Sequence, residues 1–531
     1  MKFLKIILLN LLLISFAYSS TLQEDSKKLA TNNYSKKAKI ISELTTKYSS
    51  DENLEVLLQQ MIKGKLYYTK KEKDIVYLME KVNKEYITFD IFSNKQLEKI
   101  SKYDFKKIKV NNKLRSVIKA SLAQINLMSP KKDKRLKSAK NLLKHLSIDD
   151  KNIVKQALNT EKDSDVKEIL EEILANLDAK FETGDTQIQA IKNLGDYLSS
   201  KTMQTLTEII SENKSELIVA TAKEAQDRVE MSKSFYSLIE TAFFGLSQGS
   251  VLLLAAIGLA ITFGVMKVIN MAHGELIMIG AYTTYTIQQI MPGLIEYSII
   301  IAIPAAFIVS GIVGILIERL VIRHLYGRPL ETLLATFGVS LILQQLVRTI
   351  YSPLNQEVKT PQWMSGALEI NSTLSLTYNR LYIIIFAVIV FLGILYVMKK
   401  TSLGLKVRAV SQNRPIARAM GIKSSYIDAL TFGIGSGIAG VAGVALSQLT
   451  NVGPNLGQAY IVDSFMVVVF GGVGNLWGTL IAALSLGEIN KFIEPLAGAV
   501  LAKVIILVFI ILFIQKKPRG LFPQKGRDVE D

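Results

Sequence analysis

The stretch GSVLLLAAIGLAITFGVMKVINMAHGELIMIGAYTTYTI (residues 249–287) decides what kind of molecule this is. Its first half extends an uncharged run, Thr241–Met266, that is long enough to cross a bilayer. An amide, an imidazole and a carboxylate then come in quick succession, at Asn270, His273 and Glu275, before the chain turns apolar again. Polar and ionisable groups at membrane depth are costly, and they concentrate where a chain handles solutes, protons or ions. The plainer reading is that Asn270 and His273 cap a helix at the membrane surface. Residue type alone leaves both open.

Outward from this stretch, the chain divides into two kinds of sequence. Over 531 residues it is 49% apolar with a net charge of +17, but those averages conceal a boundary. Residues 21–235 are rich in Lys, Glu, Asp, Asn and Ser, whereas 236–515 are dominated by Leu, Ile, Val, Ala, Gly and Phe. One soluble domain and one membrane domain are expected. The opening MKFLKIILLNLLLISFAYSS sets Lys2 and Lys5 before a short apolar run that ends in Ala17 and Ser19. It reads as a secretory signal (1–19) that exports the segment after it, as an uncleaved anchor also would. The expected organisation is a signal peptide, a periplasmic domain at 20–235, a transmembrane domain at 236–515 and a cytoplasmic tail at 516–531. With no cysteine, disulfides, thiolate catalysis and zinc-finger sites are excluded.

In the soluble half, Leu54–Ile62 and Val117–Leu127 show helical spacing of apolar residues. Between them, 65–81 and 84–92 alternate like short strands. From Lys131 onward short helical patterns recur, with Asp150, Asp165 and Asp185 placed as N-caps, which suggests a HEAT-like α-solenoid with a small β insertion. The run KKDKRLK (131–137) is mixed with acids nearby and lacks interleaved aromatics, so it reads as a solvated surface rather than a nucleic-acid site. No catalytic or metal-ligating constellation is present.

In the membrane half, further spans are expected at Leu276–Ile290, Ser298–Ile317, Leu330–Ile350, Tyr382–Met398, Tyr426–Leu449 and Gly498–Ile514. Lys and Arg gather on the cytoplasmic side of short loops. The loops holding Arg319, Arg323 and Arg328, and Lys399 through Lys423, are therefore inside, as is the tail. The turn MPGLIEY (291–297) has neither Lys nor Arg and is outside. Counting back, the first span starts outside, where the signal also sends the soluble half. Counting forward, residues 459–495 must enter the membrane and return in a length too short for two comfortable spans. Gly471, Gly472 and Gly474 supply a bend, so this segment reads as two short or broken helices, of about eight membrane segments in all. Gln448, Asp463 and Asn475 are further polar residues in apolar company. Lys503 is expected to snorkel to the surface, and the small residues of FGIGSGIAGVAGVA (432–445) to allow close helix packing.

The loop RAVSQNRPIARAMGIK (408–423) is basic and amphipathic, with Pro415 placed to start a short helix and Gly421 to end it. A solvated positive-inside loop would account for its charge. It also resembles the coupling segment of permeases in the branched-chain amino acid and urea ABC importer family. INMAHGE (269–275), VVVFGGVGNLWGT (467–479) and KKPRGLF (516–522) resemble other signatures of that family, and the likeness runs from about 236 to 524. Stretches such as YGRPLETLLATFGVSLILQQ (326–345) and NKFIEPLAGAVL (490–501), together with an exported domain before the first span, resemble the urea-type permease.

The resemblance implies one of two membrane subunits in the bacterial inner membrane. A second permease of the same family, two cytoplasmic ATPases and a periplasmic binding protein would be its partners, and urea its solute. No Gly-x4-Gly-Lys-Ser/Thr loop occurs in the chain, so ATP would be hydrolysed on the partners and no cofactor bound here. The coupling segment would comprise Arg408, Ala409, Asn413, Arg414, Ala417, Met420, Gly421 and Ile422. Candidates for the path or gate are Asn270, His273, Glu275, Gln448, Asp463 and Asn475. Branched-chain amino acids as the solute, a passive urea channel, and an enzyme using His273 and Glu275 as acid and base are the rivals.

Overall fold

The computed structural model describes residues 21–49, 51–71, 73–82, 85–92, 104–212 and 215–523. The expected signal peptide and the last residues of the tail (524–531) lie outside the described residues. The chain forms two compact units, 1–232 and 233–531.

The first unit is helical, as its apolar spacing requires. Helices α1 (Leu22–Ser26), α2 (Tyr34–Lys47) and α3 (Glu52–Ile62) precede a four-stranded antiparallel sheet. Its strands β1 (Tyr67–Thr69), β2 (Ile75–Val82), β3 (Glu85–Asp90) and β4 (Phe105–Lys107) stand in the order β3-β2-β1-β4. The first three fall where alternation predicts them. β4 is too short to carry a pattern and is held by its pairing of Tyr67 with Lys107. Helices α4 (Asn112–Leu127), α5 (Lys132–Lys144), α6 (Lys151–Thr160), α7 (Ser164–Phe181), α8 (Asp185–Leu194) and α9 (Ser200–Glu212) come next, each packed on a near neighbour in sequence.

Two of the expected caps are corrected. Asp163, not Asp165, caps α7 by accepting the Asp165 and Val166 N–H groups, and Gly184, at φ +69°, precedes α8 while Asp185 is already inside it. Capping demands extended or otherwise non-helical backbone at the cap residue, a requirement that spacing alone does not reveal. Asp150 does stand at the N-cap of α6, but its side chain makes no capping bond. The basic run at 131–137 is spent on ion pairs within the unit: Lys132 with Asp163 at 2.9 Å, Lys134 with Glu55 at 2.7 Å and Arg135 with Glu161 at 2.8 Å.

Helix α10 (Glu216–Met266) begins in the first unit, where Ala222, Ala225 and Val229 are buried, and supplies the first apolar helix of the second. The second unit continues with α11 (His273–Ile290), α12 (Ile295–Leu320), α13 (Pro329–Tyr351) and α14 (Tyr378–Lys400). Then come α15 (Ser402–Gln412), α16 (Arg414–Ala419), α17 (Ser424–Ser447), α18 (Leu456–Gly471), α19 (Leu476–Ala497) and α20 (Ala499–Lys516). A small hairpin, β5 (Ala367–Glu369) with β6 (Ser375–Thr377), sits between α13 and α14. Six helices among the described residues are long and apolar enough to cross a membrane: α10, α12, α13, α14, α17 and α20. The remaining segments of the expected eight are α11, which is more polar, and the pair α18 and α19.

The pair meets at Gly472–Asn475, where the bend was expected, with Gly472 at φ +102°. Only α18, at 16 residues, is short; α19 has 22, so the expectation of two cramped halves is corrected to one. At the centre lies α17, whose most apolar window is 89% buried against 17% for α20. Its glycines explain how: a Cβ on Gly280 would overlap the Gly440 backbone, and one on Gly443 would overlap the Ile277 carbonyl. Small residues let α11 and α17 touch backbone to backbone.

Candidate functional site

The break between α10 and α11 places each polar group of the opening stretch in a different job. Lys267 takes φ +55°, ending α10. Asn270 Oδ1 accepts the Ala272 N–H at 3.0 Å, a turn ahead of the helix, while its Nδ2 has no hydrogen-bond partner among the described residues. His273, the first residue of α11, reaches back so that Nε2 donates to the Ala255 carbonyl at 2.9 Å; an acceptor there requires the proton on that nitrogen. Glu275 Oε1 accepts from Ser340 Oγ at 2.9 Å and Gln344 Nε2 at 2.7 Å, and Oε2 is unpartnered among the described residues. All three residues are buried. Asn270 Oδ1 thus closes a local turn ahead of α11, whose N-cap is Ala272 without a side-chain capping bond, and Glu275 forms a separate polar centre between α11 and α13.

The other candidates are dispersed. Gln448 is buried at the end of α17, donating to Ser447 Oγ at 3.2 Å with its Oε1 unpartnered among the described residues. Asp463 on α18 accepts from Lys503 Nζ on α20 at 3.1 Å. Lys503 thus turns toward a buried carboxylate instead of only reaching for the surface, because an intramembrane charge gains most from a partner of opposite sign. Asn475 has a structural job: its Oδ1 accepts the Trp477 and Gly478 N–H groups at the start of α19, and its Nδ2 donates to the Phe522 carbonyl at 3.1 Å.

That last bond joins two motifs far apart in sequence. The Leu521 N–H donates to the Phe470 carbonyl at 2.9 Å and the Phe522 N–H to the Gly471 carbonyl at 3.2 Å, so the tail is strapped across the bend at Gly471–Gly474. Gly472 and Gly520 touch, which only residues without a side chain permit. The end of α10 packs here too, Gly264 lying against Gly474.

The basic loop joins the same end of the bundle, since Ser411 Oγ donates to the Gly264 carbonyl at 3.1 Å. Pro415 lies in the first turn of a short helix and Gly421 comes after its end at φ +84°, as expected, and Asn413 caps that helix by accepting the Ile416 N–H. Arg414 faces inward, donating to both oxygens of Asp428, and stacks on Tyr326 at 4.4 Å from the ring centroid. Arg408 reaches the Met398 carbonyl, Ala409 and Ile422 are half-buried, and Ala417 is buried. Two large apolar side chains stand outward among exposed Asn413, Arg418 and Lys423: Ile416 is 61% and Met420 78% exposed. Behind the loop a cavity of about 340 Å³ is lined by Val265, Lys267, Tyr326, Arg328, Gln412 and Arg414, among others. Asp428 and Tyr326 were missed from sequence; an acid in the first turns of an apolar helix, opposite a basic loop, was the available signal.

Known proteins resemble the membrane unit in sequence. The sequence pattern of the family described as branched-chain amino acid transport system / permease component matches residues 241–514. The chain is similar to BraD, a high-affinity branched-chain amino acid transport system permease protein of Pseudomonas aeruginosa. They are 29% identical over 295 residues, 54% of this chain and 96% of that protein. LivH of Escherichia coli K12, a permease protein of the same kind of system, is 30% identical over 302 residues, 55% of this chain and 97% of LivH. The ribose import permease protein RbsC of Escherichia coli K12 is 26% identical, over 54% of this chain and 89% of RbsC. No solved structure matches the chain.

Proposed function

The chain belongs to the family of branched-chain amino acid transport system permease components, and we propose that it is one of two membrane subunits of an ATP-driven importer for a small nitrogen-bearing solute. What carries this reading is the family match over the membrane unit together with the built segment Ser402–Lys423. Its outward apolar side chains, Ile416 and Met420, offer a dock for a cytoplasmic ATPase. ATP hydrolysis is assigned to that partner because the sequence lacks a phosphate-cradling loop. Closure of the ATPase pair would push on this segment and shift the bundle between outward- and inward-open packings. In this reading the basic loops face the cytoplasm of a bacterial inner membrane, and residues 20–235 lie in the periplasm. A binding protein there delivers the solute.

Two solutes remain in play. Branched-chain amino acids are favoured by the names of BraD and LivH. Urea rests on the resemblance of stretches 326–345 and 490–501 to the urea-type permease alone, so the branched-chain amino acids are the better supported solute. Either demands donors and acceptors along its way, since each unmade hydrogen bond costs about 1–3 kcal/mol. Uptake of labelled leucine and labelled urea, compared in cells with and without the chain, decides. Loss of one identifies the solute, and loss of neither refutes the importer reading. Uptake that survives removal of the ATPases would make the chain a passive channel.

A further inference from the structure

Thr332, Thr336, Ser340 and Gln344 are all buried on α13, although only 28% of that helix's most apolar window is covered. They recur every fourth residue and so share one face: Ser340 and Gln344 meet Glu275 of α11, Thr336 meets Met271 just ahead of that helix, and Thr332 bonds back to the Leu325 and Arg328 carbonyls. Three contacts set the pairing. The Met271 N–H donates to Thr336 Oγ1 at 3.1 Å, Ser340 Oγ donates to Glu275 Oε1 at 2.9 Å, and the Thr286 and Tyr351 hydroxyls lie 2.7 Å apart. In each the partners are 65 residues apart, so α11 and α13 run parallel and in register. From Thr336 to Tyr351 these polar contacts extend about 22 Å at the helical rise of about 1.5 Å per residue, interrupted by Val347 packed with Met278 and Ala281, and so cover most of the roughly 30 Å of a bilayer's hydrocarbon core.

A seam that merely glued two helices would satisfy its own groups. Here Glu275 Oε2, Asn270 Nδ2 and the Tyr282 hydroxyl, all buried, find no hydrogen-bond partner among the described residues. They amount to a free acceptor, a free donor and a group that is both. Leaving such groups unpaired is costly inside a protein and more so at membrane depth.

We propose that the seam between α11 and α13 is the solute's route, with Glu275, Ser340 and Gln344 as its central contact. The solute class is a small molecule that presents N–H donors to Glu275 Oε2 and a carbonyl or carboxylate oxygen to Asn270 Nδ2. The proposal rests on the importer reading and narrows the path to one helix pair. Asp463, with its ion-pair partner, and Asn475, which caps α19, lie outside it.

The absence of native cysteine makes the test direct. T336C, S340C and Q344C are introduced singly into the complete importer in membrane vesicles, beside L341C and I342C on the outward apolar face of α13. A membrane-impermeant methanethiosulfonate is the probe, and variant protein levels are compared with the parent. Seam cysteines are expected to react several-fold faster than the two controls, and to be slowed by whichever of leucine or urea the vesicles import. If one seam variant fails to accumulate, the other two carry the result. Equal reactivity of seam and control positions in vesicles that still import overturns the seam and leaves the importer standing. Fast seam labelling when the parent importer itself takes up neither solute overturns the importer reading and, with it, the assignment of the seam as a solute route.

Discussion

Arg414 holds Asp428 with both arms of its guanidinium, Nη1 to Oδ2 at 2.8 Å and Nη2 to Oδ1 at 2.9 Å. The Asp428 side chain is 2% exposed, so the basic segment is tied to the start of α17 by a largely desolvated pair. Removing one member of a buried pair costs about 3–5 kcal/mol, with the lower end expected because Arg414 retains some solvent contact. D428N should lower the melting temperature of the purified complex and reduce import, and the exchange R414D/D428R should recover part of both. An unchanged melt for D428N would count against the tie.

Gly280 and Gly440 bring α11 and α17 into backbone contact. Overpacking of this kind costs about 1–3 kcal/mol or more. G280V is expected to abolish accumulation of folded protein in membranes and G280A to reduce it. G293A, where a Cβ meets nothing within 4 Å, should behave as the parent, as quantitative blotting of membrane fractions would show.

In the first unit, Glu161 accepts from Arg135 Nε at 2.8 Å and Nη2 at 3.0 Å. Burial by itself would raise this carboxyl. The Arg135 bonds and the Asp163 and Lys162 N–H groups outweigh it and hold the group below its ordinary value. A depressed folded value means that the pair stabilises the unit above the unfolded pKa, about 4.3, and that this stability fades as pH falls through the folded value. The parent should therefore lose stability below about pH 4.3, whereas E161Q should start about 1.5–3 kcal/mol lower and lose less on acidification. Melts of the full chain across that range would reveal a failure as parallel pH profiles.

Replacing Glu275 by Ala leaves the Ser340 hydroxyl and the Gln344 amide without their acceptor. The structural cost is about 1–3 kcal/mol. N270A, H273A and E275A are each expected to cut solute uptake at matched membrane levels, E275A most. Full uptake in all three would remove the polar centre from the mechanism.

Ile416 on the short helix α16 and Met420 at its C-cap project outward without supporting the fold. I416D and M420D should leave the melt of this chain unchanged and abolish co-purification of an ATPase, as the loss of a hot spot worth about 2 kcal/mol or more would. Retention of the ATPase by both would place the dock elsewhere.

Much of this was legible in the chain. The apolar runs mark the helices, Gly471–Gly474 marks the bend between α18 and α19, and Pro415 and Gly421 bracket α16 within a residue or two. These are local properties, set by turn chemistry and by what a bilayer tolerates. The site was legible only as a collection. Asn270, His273 and Glu275 stood out for their cost in apolar company, but their division into local turn, back-bond and polar centre depends on Ala255, Ser340 and Gln344, none of them a neighbour in sequence. Lys503 was read for the surface because Asp463, forty residues away, gives no local sign of being its partner.

By itself, the sequence determined the partition into a charged unit and an apolar one, the breaks between helices and the short helix in the basic loop, because backbone sterics and transfer free energy act over a few residues at a time. Only the tertiary structure decided that Arg414 turns inward to Asp428, that the tail from Gly520 to Phe522 crosses the Gly471–Gly474 bend, and that α11 and α13 align at an offset of 65 residues. Hydropathy drives an apolar helix out of water without naming its neighbour. The neighbour is chosen where glycines allow two backbones to touch and where a buried polar atom finds the one group that can complete it.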